Sequence, residues 1–183
     1  MQKTILITGC SSGIGLVAAH DLLARGYRVI AACRKADDVA RMNTLGFTGL
    51  QLDLDDPQSV DQAADAILAL CDNRLDALFN NAGFGLYGPL RTLSRQQLEQ
   101  QFSSNFFGVH QLTLRLLPAL QASGDGRIVN TSSVLGLIST PGRGAYAASK
   151  YALEAWSDAL RLEVRSSGIR VSLIEPGPIE MRF

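Results

Sequence analysis

The chain has 183 residues, 46% of them hydrophobic, enough for the core of one domain of ordinary size. Seventeen basic and seventeen acidic residues cancel, and with no block of like charge to grip nucleic acid or an anionic surface, a nucleic-acid role is disfavoured. No apolar stretch approaches the roughly 18 residues that span a bilayer, and the apolar part of MQKTILITGC is too short for a signal peptide, so a cytoplasmic protein is expected.

Strand-length apolar runs alternate with segments of helical period along the whole chain. The strands are predicted at 3–8, 27–33, 48–53, 75–80, 127–132 and 169–175, as near-continuous apolar runs of the kind buried on both faces. The first helix, 13–25, sets Ile14, Val17, Ala18 and Leu22 on one face and stops at Gly26, a natural helix C-terminal residue. Asp55 or Asp56 is placed to cap the third helix, with Pro57 in its first turn. Residues 94–122 read as two helical pieces, and 144–167 as the longest helix. Such alternation predicts an α/β fold: a single domain with a doubly wound parallel sheet. Ligands of such sheets bind beyond the strand C-termini, where strand order reverses. The loops to read are therefore 9–12, 34–36, 53–55, 81–89, 133–143 and 176–183.

The turn after the first strand, TGCSSGIG, carries Gly9, Gly13 and Gly15 and leads into the first helix. Glycines here permit a tight turn and bring a pyrophosphate close to the helix N-terminus, where free N–H groups and the helix dipole favour an anion. The spacing differs from G-x-G-x-x-G, yet strand, turn and helix together point to a dinucleotide. NAD-binding versions of this architecture place an acid at the end of the second strand, for the ribose 2′-hydroxyl. Here that strand ends in Cys33-Arg34-Lys35. Arg34 offers a planar fork for a 2′-phosphate, with Ser11 and Ser12 as hydroxyl donors, so NADP(H) is expected over NAD(H). Cys10, Cys33 and Cys71 are odd in number and lack metal-ligand spacing, and His20 and His110 are the only imidazoles. No metal site is expected, and a reducing compartment suits the thiols.

Tyr146 and Lys150 lie four apart in AYAASKYALEAW, on one face of the longest predicted helix, where they can share a ligand. Together TGCSSGIG, NNAG at 80–83, AYAASK and EPG at 175–177 resemble the short-chain dehydrogenase/reductase family over essentially the whole chain, most closely its hydroxysteroid and retinol dehydrogenase branch. The resemblance implies a Rossmann-type oxidoreductase domain over residues 1–183 that uses a nicotinamide cofactor. It implies a tetrad of Asn105, Ser133, Tyr146 and Lys150. It further implies cofactor contacts from the glycine turn including Ile14, from Asp53 and Leu54 at adenine, and from Asn81, Ala82 and Gly83 at a ribose. Pro176, Gly177 and Ile179 fall beside the nicotinamide, with Met181 where the family carries threonine.

On that reading Tyr146 gives the proton to a developing alkoxide and Lys150 holds ribose hydroxyls. Bringing a phenol from about 10 to about 7 takes roughly 4 kcal/mol, which one ammonium at about 4 Å supplies at an effective dielectric of about 20. Ser133 polarises the substrate carbonyl. Asn105 sits in an opened helix that holds a proton-relaying water to Lys150. The apolar loops 84–90 and 134–143 and the segment 178–183 suit an apolar ketone, aldehyde or secondary alcohol. The family continues past the position of Phe183 through a lid and a last strand, so the chain is expected to stop short of both. A non-catalytic NADP(H)-binding sensor or scaffold is the alternative reading. Tyr151 and Trp156 are candidates for the face of a homodimer or homotetramer.

Overall fold

Strand β1 (Thr4–Thr8) is buried along its whole length, and the rest of the molecule is layered around it. The computed structural model describes residues 2–178. The elements follow as α1 (Gly13–Ala24), β2 (Arg28–Cys33), α2 (Ala36–Thr44), β3 (Thr48–Gln51), α3 (Pro57–Leu70) and β4 (Ala77–Asn80). Then come α4 (Arg95–Phe102), a π-helical stretch Ser103–Phe107, α5 (Gly108–Ala122), β5 (Arg127–Thr131), α6 (Gly144–Glu163) and β6 (Arg170–Ile174).

The six strands form one sheet in the order β3-β2-β1-β4-β5-β6, and every pairing is parallel. Because side chains alternate across a strand, β1 feeds two cores. Leu6 packs with Ile30, Leu78 and Ile128 beneath α3, α5 and α6. Ile5 and Ile7 pack with Val29, Ala31 and Phe79 against α1 and α2. Strand order reverses between β1 and β4, and the loops after these strands open a crevice there.

Local signals set the helix ends. Asp56 caps α3 by accepting from the Gln58 amide at 2.9 Å, with Pro57 in the first turn. Ser94 and Gln97 form a reciprocal capping box on α4, with bonds of 3.2 and 2.8 Å. The third strand ends at Gln51, earlier than the predicted Asp53, because Asp53 folds a turn of its own: its carboxylate accepts from the Asp55 amide at 3.0 Å. Helix α6 ends at Glu163, a 3-10 turn covers Arg165–Ser167, and the left-handed Gly168 redirects the chain into β6.

Candidate active site

A cleft of about 1250 Å³ runs across the C-terminal ends of the strands. At one end lies the glycine turn. Gly9 has φ +73°, and a Cβ there would lie 2.8 Å from the Ala82 Cα. The turn is tied to β2 by the Gly9 and Cys10 amides, which donate to the Ala32 carbonyl at 3.0 and 3.1 Å. Ser11, Ser12, Gly13 and Ile14 line the cleft. Ser12 is the N-cap of α1 and makes no side-chain capping bond, so the first-turn N–H groups are left for a ligand. Gly15 does not line the cleft. A Cβ there would meet the Gly9 carbonyl at 2.4 Å and Asn81 Nδ2 at 2.6 Å, so this glycine lets helix and turn close on one another.

Arg34 is exposed and lines the cleft at the end of β2, with Asp53 and Leu54 opposite. Arg41, which the sequence reading did not select, donates from α2 to the Ser11 carbonyl at 2.5 Å and pairs with Asp38 at 3.0 Å. A second arginine seven residues after Arg34, in the helix that follows it, was the available signal.

Asn81, Ala82 and Gly83 follow β4 and line the middle of the cleft. The amides of Asn81 and Ala82 donate to Thr8 Oγ1 at 3.0 and 2.9 Å, and Asn81 Nδ2 donates to the Thr8 carbonyl at 3.1 Å. The Asn81 side chain thus joins the ends of β1 and β4.

The other end is built from buried side chains. Lys150 is 3% exposed, and its Nζ donates to the Thr131 carbonyl at 2.7 Å and lies 5.7 Å from the Tyr146 ring centroid. Burial lowers the Lys150 pKa to about 8, against the charge of Glu154, which raises it. The Tyr146 phenol is pushed up by burial, while a hydrogen bond with Ser133 and the charge of Arg143 pull it down. The expected lowering of Tyr146 by Lys150 is therefore not what this geometry produces, because the ammonium is directed at Thr131. Ser133 Oγ accepts from the Leu135 amide at 3.1 Å, which leaves its own proton for the Tyr146 oxygen or a ligand oxygen beside it. Pro176 and Gly177 border this end; Ile179 and Met181 lie outside the described residues.

Asn105 sits in the π-helical stretch, a form that marks a locally opened helix. It is 1% exposed and clasps the loop after β4: it accepts from the Phe84 amide at 3.1 Å and donates to the Phe84 carbonyl at 2.9 Å. Gln101, one turn earlier, does the same work and was not picked out from the sequence; it donates to the Phe84 carbonyl at 2.8 Å and accepts from the Leu86 amide at 2.6 Å. Asn105 is next to Lys150: a Cβ on Gly83 would lie 3.1 Å from Asn105 Oδ1 and 3.7 Å from Lys150 Nζ.

Neither aromatic expected on an oligomer face is unengaged. Trp156 Nε1 donates to His110 Nδ1 at 3.1 Å, and the Tyr151 hydroxyl donates to the Leu137 carbonyl. The three thiols are buried, and burial raises Cys10 to about 12, so it is inert at neutral pH. Among the described residues no group of His, Cys, Asp or Glu is arranged to hold a metal, and no helix is long and apolar enough to cross a membrane.

A dinucleotide fits this cleft. The glycine turn and the open first turn of α1 lie at one end, the Tyr146-Lys150 pair at the other, and the crevice between them is continuous. Comparison with known proteins agrees. The family model described as short chain dehydrogenase matches residues 3–183. The oxidoreductase YbbO of Escherichia coli is 72% identical over 183 residues, which cover all of this chain and 68% of that protein. Human retinol dehydrogenase 5 is 43% identical over 178 residues, covering 94% of this chain and 55% of its own length. A crystal structure of a short-chain dehydrogenase from Streptomyces avermitilis superposes with a TM-score of 0.93 at 34% identity, covering 100% of this chain and 68% of that one. With the parallel sheet, the cleft at its switch point and a family match over nearly its whole length, the chain belongs to the short-chain dehydrogenase family of oxidoreductases.

Proposed function

We propose that the protein is an NADP(H)-dependent oxidoreductase that interconverts an apolar ketone or aldehyde and its alcohol. The observation that carries this reading is the convergence of Ser133, Tyr146 and Lys150 on one cleft whose far end presents the open start of α1 and Arg34. The glycine turn, with Ser11, Ser12, Gly13 and Ile14, would hold the pyrophosphate. Arg34 would take the 2′-phosphate. Asp53 and Leu54 would flank the adenine, Asn81 to Gly83 a ribose, and Pro176 and Gly177 the nicotinamide.

When bound, the nicotinamide supplies or accepts the hydride. The remaining steps belong to the protein. Ser133, its hydroxyl oriented by the Leu135 amide, donates to the substrate oxygen. Tyr146, whose raised pKa keeps it protonated at neutral pH, gives its proton to the oxygen as negative charge develops. The Lys150 ammonium replenishes that proton and anchors ribose hydroxyls. Asn105 holds the loop over the lysine. Phe84, Tyr87 and Ile138 line the mouth and favour an apolar substrate. Human retinol dehydrogenase 5, a relative named for a hydrophobic alcohol, supports the same substrate class. The domain would act as a homodimer or homotetramer in the cytoplasm.

Parallel fluorescence titrations of NADPH and NADH test the cofactor, and turnover of a series of hydrophobic aldehydes and ketones tests the chemistry. Preferred NADPH binding with turnover that Tyr146→Phe abolishes is the expected result. NADPH binding without turnover of any carbonyl would fit the sensing or scaffold module instead, and equal affinity for both dinucleotides would sink the role of Arg34.

A further inference from the structure

The Tyr146-Lys150 pair is accompanied by an acid for which the proposed chemistry has no use. Glu154 lies one helical turn beyond Lys150 on α6, on the same side of the helix. Its Oε1 is buried and has no hydrogen-bond partner, and the same holds for Ser132 Oγ. Both atoms lie against Gly136, in the loop that follows Ser133. A Cβ at this glycine would stand 2.6 Å from Ser132 Oγ and 3.0 and 3.1 Å from Glu154 Cγ and Oε1. Glycine therefore lets the loop settle directly on the Glu154 side chain and shut its oxygen away from solvent.

Burying an unpaired carboxylate oxygen is costly. Where such a cost persists, the neighbourhood shows what it achieves. Among the described residues, those seen against Lys150 are the Tyr146 ring on its own helix, the Thr131 carbonyl of β5, and the Asn105 amide and Gly83 on the far side. None of these carries a charge at neutral pH. Tyr146 is the only titratable one, and it stays protonated there. Glu154 is half-buried, but its Oε1 is shut off from water, so the carboxylate acts on such a neighbour with less screening than a surface acid would.

We propose that Glu154 is a positioning residue for the Tyr146-Lys150 pair, its carboxylate supplying the negative charge that holds Lys150 as an ammonium at neutral pH. Burial alone drives Lys150 toward the neutral amine; Glu154 opposes that, and the balance falls at about 8. The lysine thus stays charged at pH 7 by a narrow margin. Removing a carboxylate one helical turn away lowers the midpoint by about one unit, which takes a large share of the molecules to the amine. Its consequence for catalysis rests on the reading of Tyr146 and Lys150 as the reacting pair, whereas the charge state of the lysine is measurable without turnover.

The chain has three lysines, Lys3, Lys35 and Lys150, and the first two are exposed. In protein labelled at the lysine Cε, NMR titration gives three resonances, and Lys150→Met assigns the buried one. In Glu154→Gln the Lys150 midpoint is expected to fall by about one unit while Lys3 and Lys35 stay fixed. Glu154→Asp, which keeps the charge, is expected to hold the midpoint within a few tenths of a unit of wild type. An unchanged midpoint in a folded Glu154→Gln protein would overturn the proposal, as would a fall in Glu154→Asp equal to that in Glu154→Gln. The basic limb of the kcat/KM profile should move with the midpoint. A midpoint that falls while that limb stays in place would uphold the charge role of Glu154 and overturn the assignment of Lys150 to the reaction.

Discussion

The two ends of the cleft are made from different material. At the α1 end the contacts are backbone and steric: Gly9 against Ala82, Gly15 against the Gly9 carbonyl, and turn amides on the Ala32 carbonyl. At the α6 end they are side chains taken out of water and bonded: Lys150 to Thr131, Asn105 to Phe84 and Ser149, Gln101 to Leu86. One end depends on the absence of volume, the other on the presence of particular polar groups. The first should therefore be sensitive to added carbon and indifferent to lost hydroxyls, and the second the reverse.

The largest expected effect tests the second end. Tyr146→Phe removes one oxygen and no packing volume, so the fold and NADPH affinity should survive while turnover drops about 1000-fold, the range of a lost general acid. Steady-state kinetics beside a cofactor titration separate the two. Next comes added volume at the first end. Gly15→Val places carbon against the Gly9 carbonyl and should cost about 3 kcal/mol in urea unfolding. Ser12→Ala at the same turn, where no capping bond exists, should change stability by no more than about 0.5 kcal/mol.

Lys150 makes the contrast sharper because its burial has a cost. Its pKa is 10.5 in the ordinary state and about 8 when folded, so between those values the unfolded chain binds more protons. Stability therefore rises with pH through that window, and below it the buried ammonium is a standing penalty. Lys150→Met should raise stability at pH 7 by about 2 kcal/mol after allowance for the lost bond to Thr131. That advantage should shrink as the pH passes from 8 to 10.5. Urea midpoints of both proteins across that range would show it; a variant less stable than wild type at pH 7 would contradict the penalty.

The same division explains what could be read from the sequence. The alternation of buried strands and helices is a local signal, and all six strands fall within the predicted runs with trimmed ends. The glycine turn was legible because glycine spacing directly reports backbone geometry. The polar end was legible only as far as Tyr146, Lys150, Ser133 and Asn105, through the resemblance. Its supports depend on register and loop paths that no local pattern encodes. Asn80 meets Asn130 because β4 and β5 pair at those residues, at 2.9 Å, and Asn130 reaches Ser157 on α6 at 2.8 Å. Gln101 looked like any glutamine in a polar helix until the Phe84–Leu86 loop was seen folded over it. The direction of the Lys150 ammonium was likewise invisible, since the four-residue spacing gives a shared face and no orientation.

Small effects on cofactor affinity are expected from the two arginines near the glycine turn, and there the distinction is between recognising a ligand and holding the backbone that does. Arg34 is exposed beside the cleft, so Arg34→Gln should weaken NADPH about tenfold, roughly 1.4 kcal/mol, and leave NADH unchanged. Arg41 has its guanidinium committed to the Ser11 carbonyl and to Asp38, and what it contributes is the shape of the turn. A turn that loses this brace presents its amides less well to any dinucleotide. Arg41→Gln should thus weaken NADPH and NADH together, by about threefold each, a loss of under about 1 kcal/mol. The ratio of the two affinities separates the roles: Arg34→Gln collapses it and Arg41→Gln preserves it. If Arg41→Gln weakened NADPH alone, its guanidinium would have to leave Asp38 for the 2′-phosphate, and this end of the cleft would recognise its ligand through side chains as the other end does.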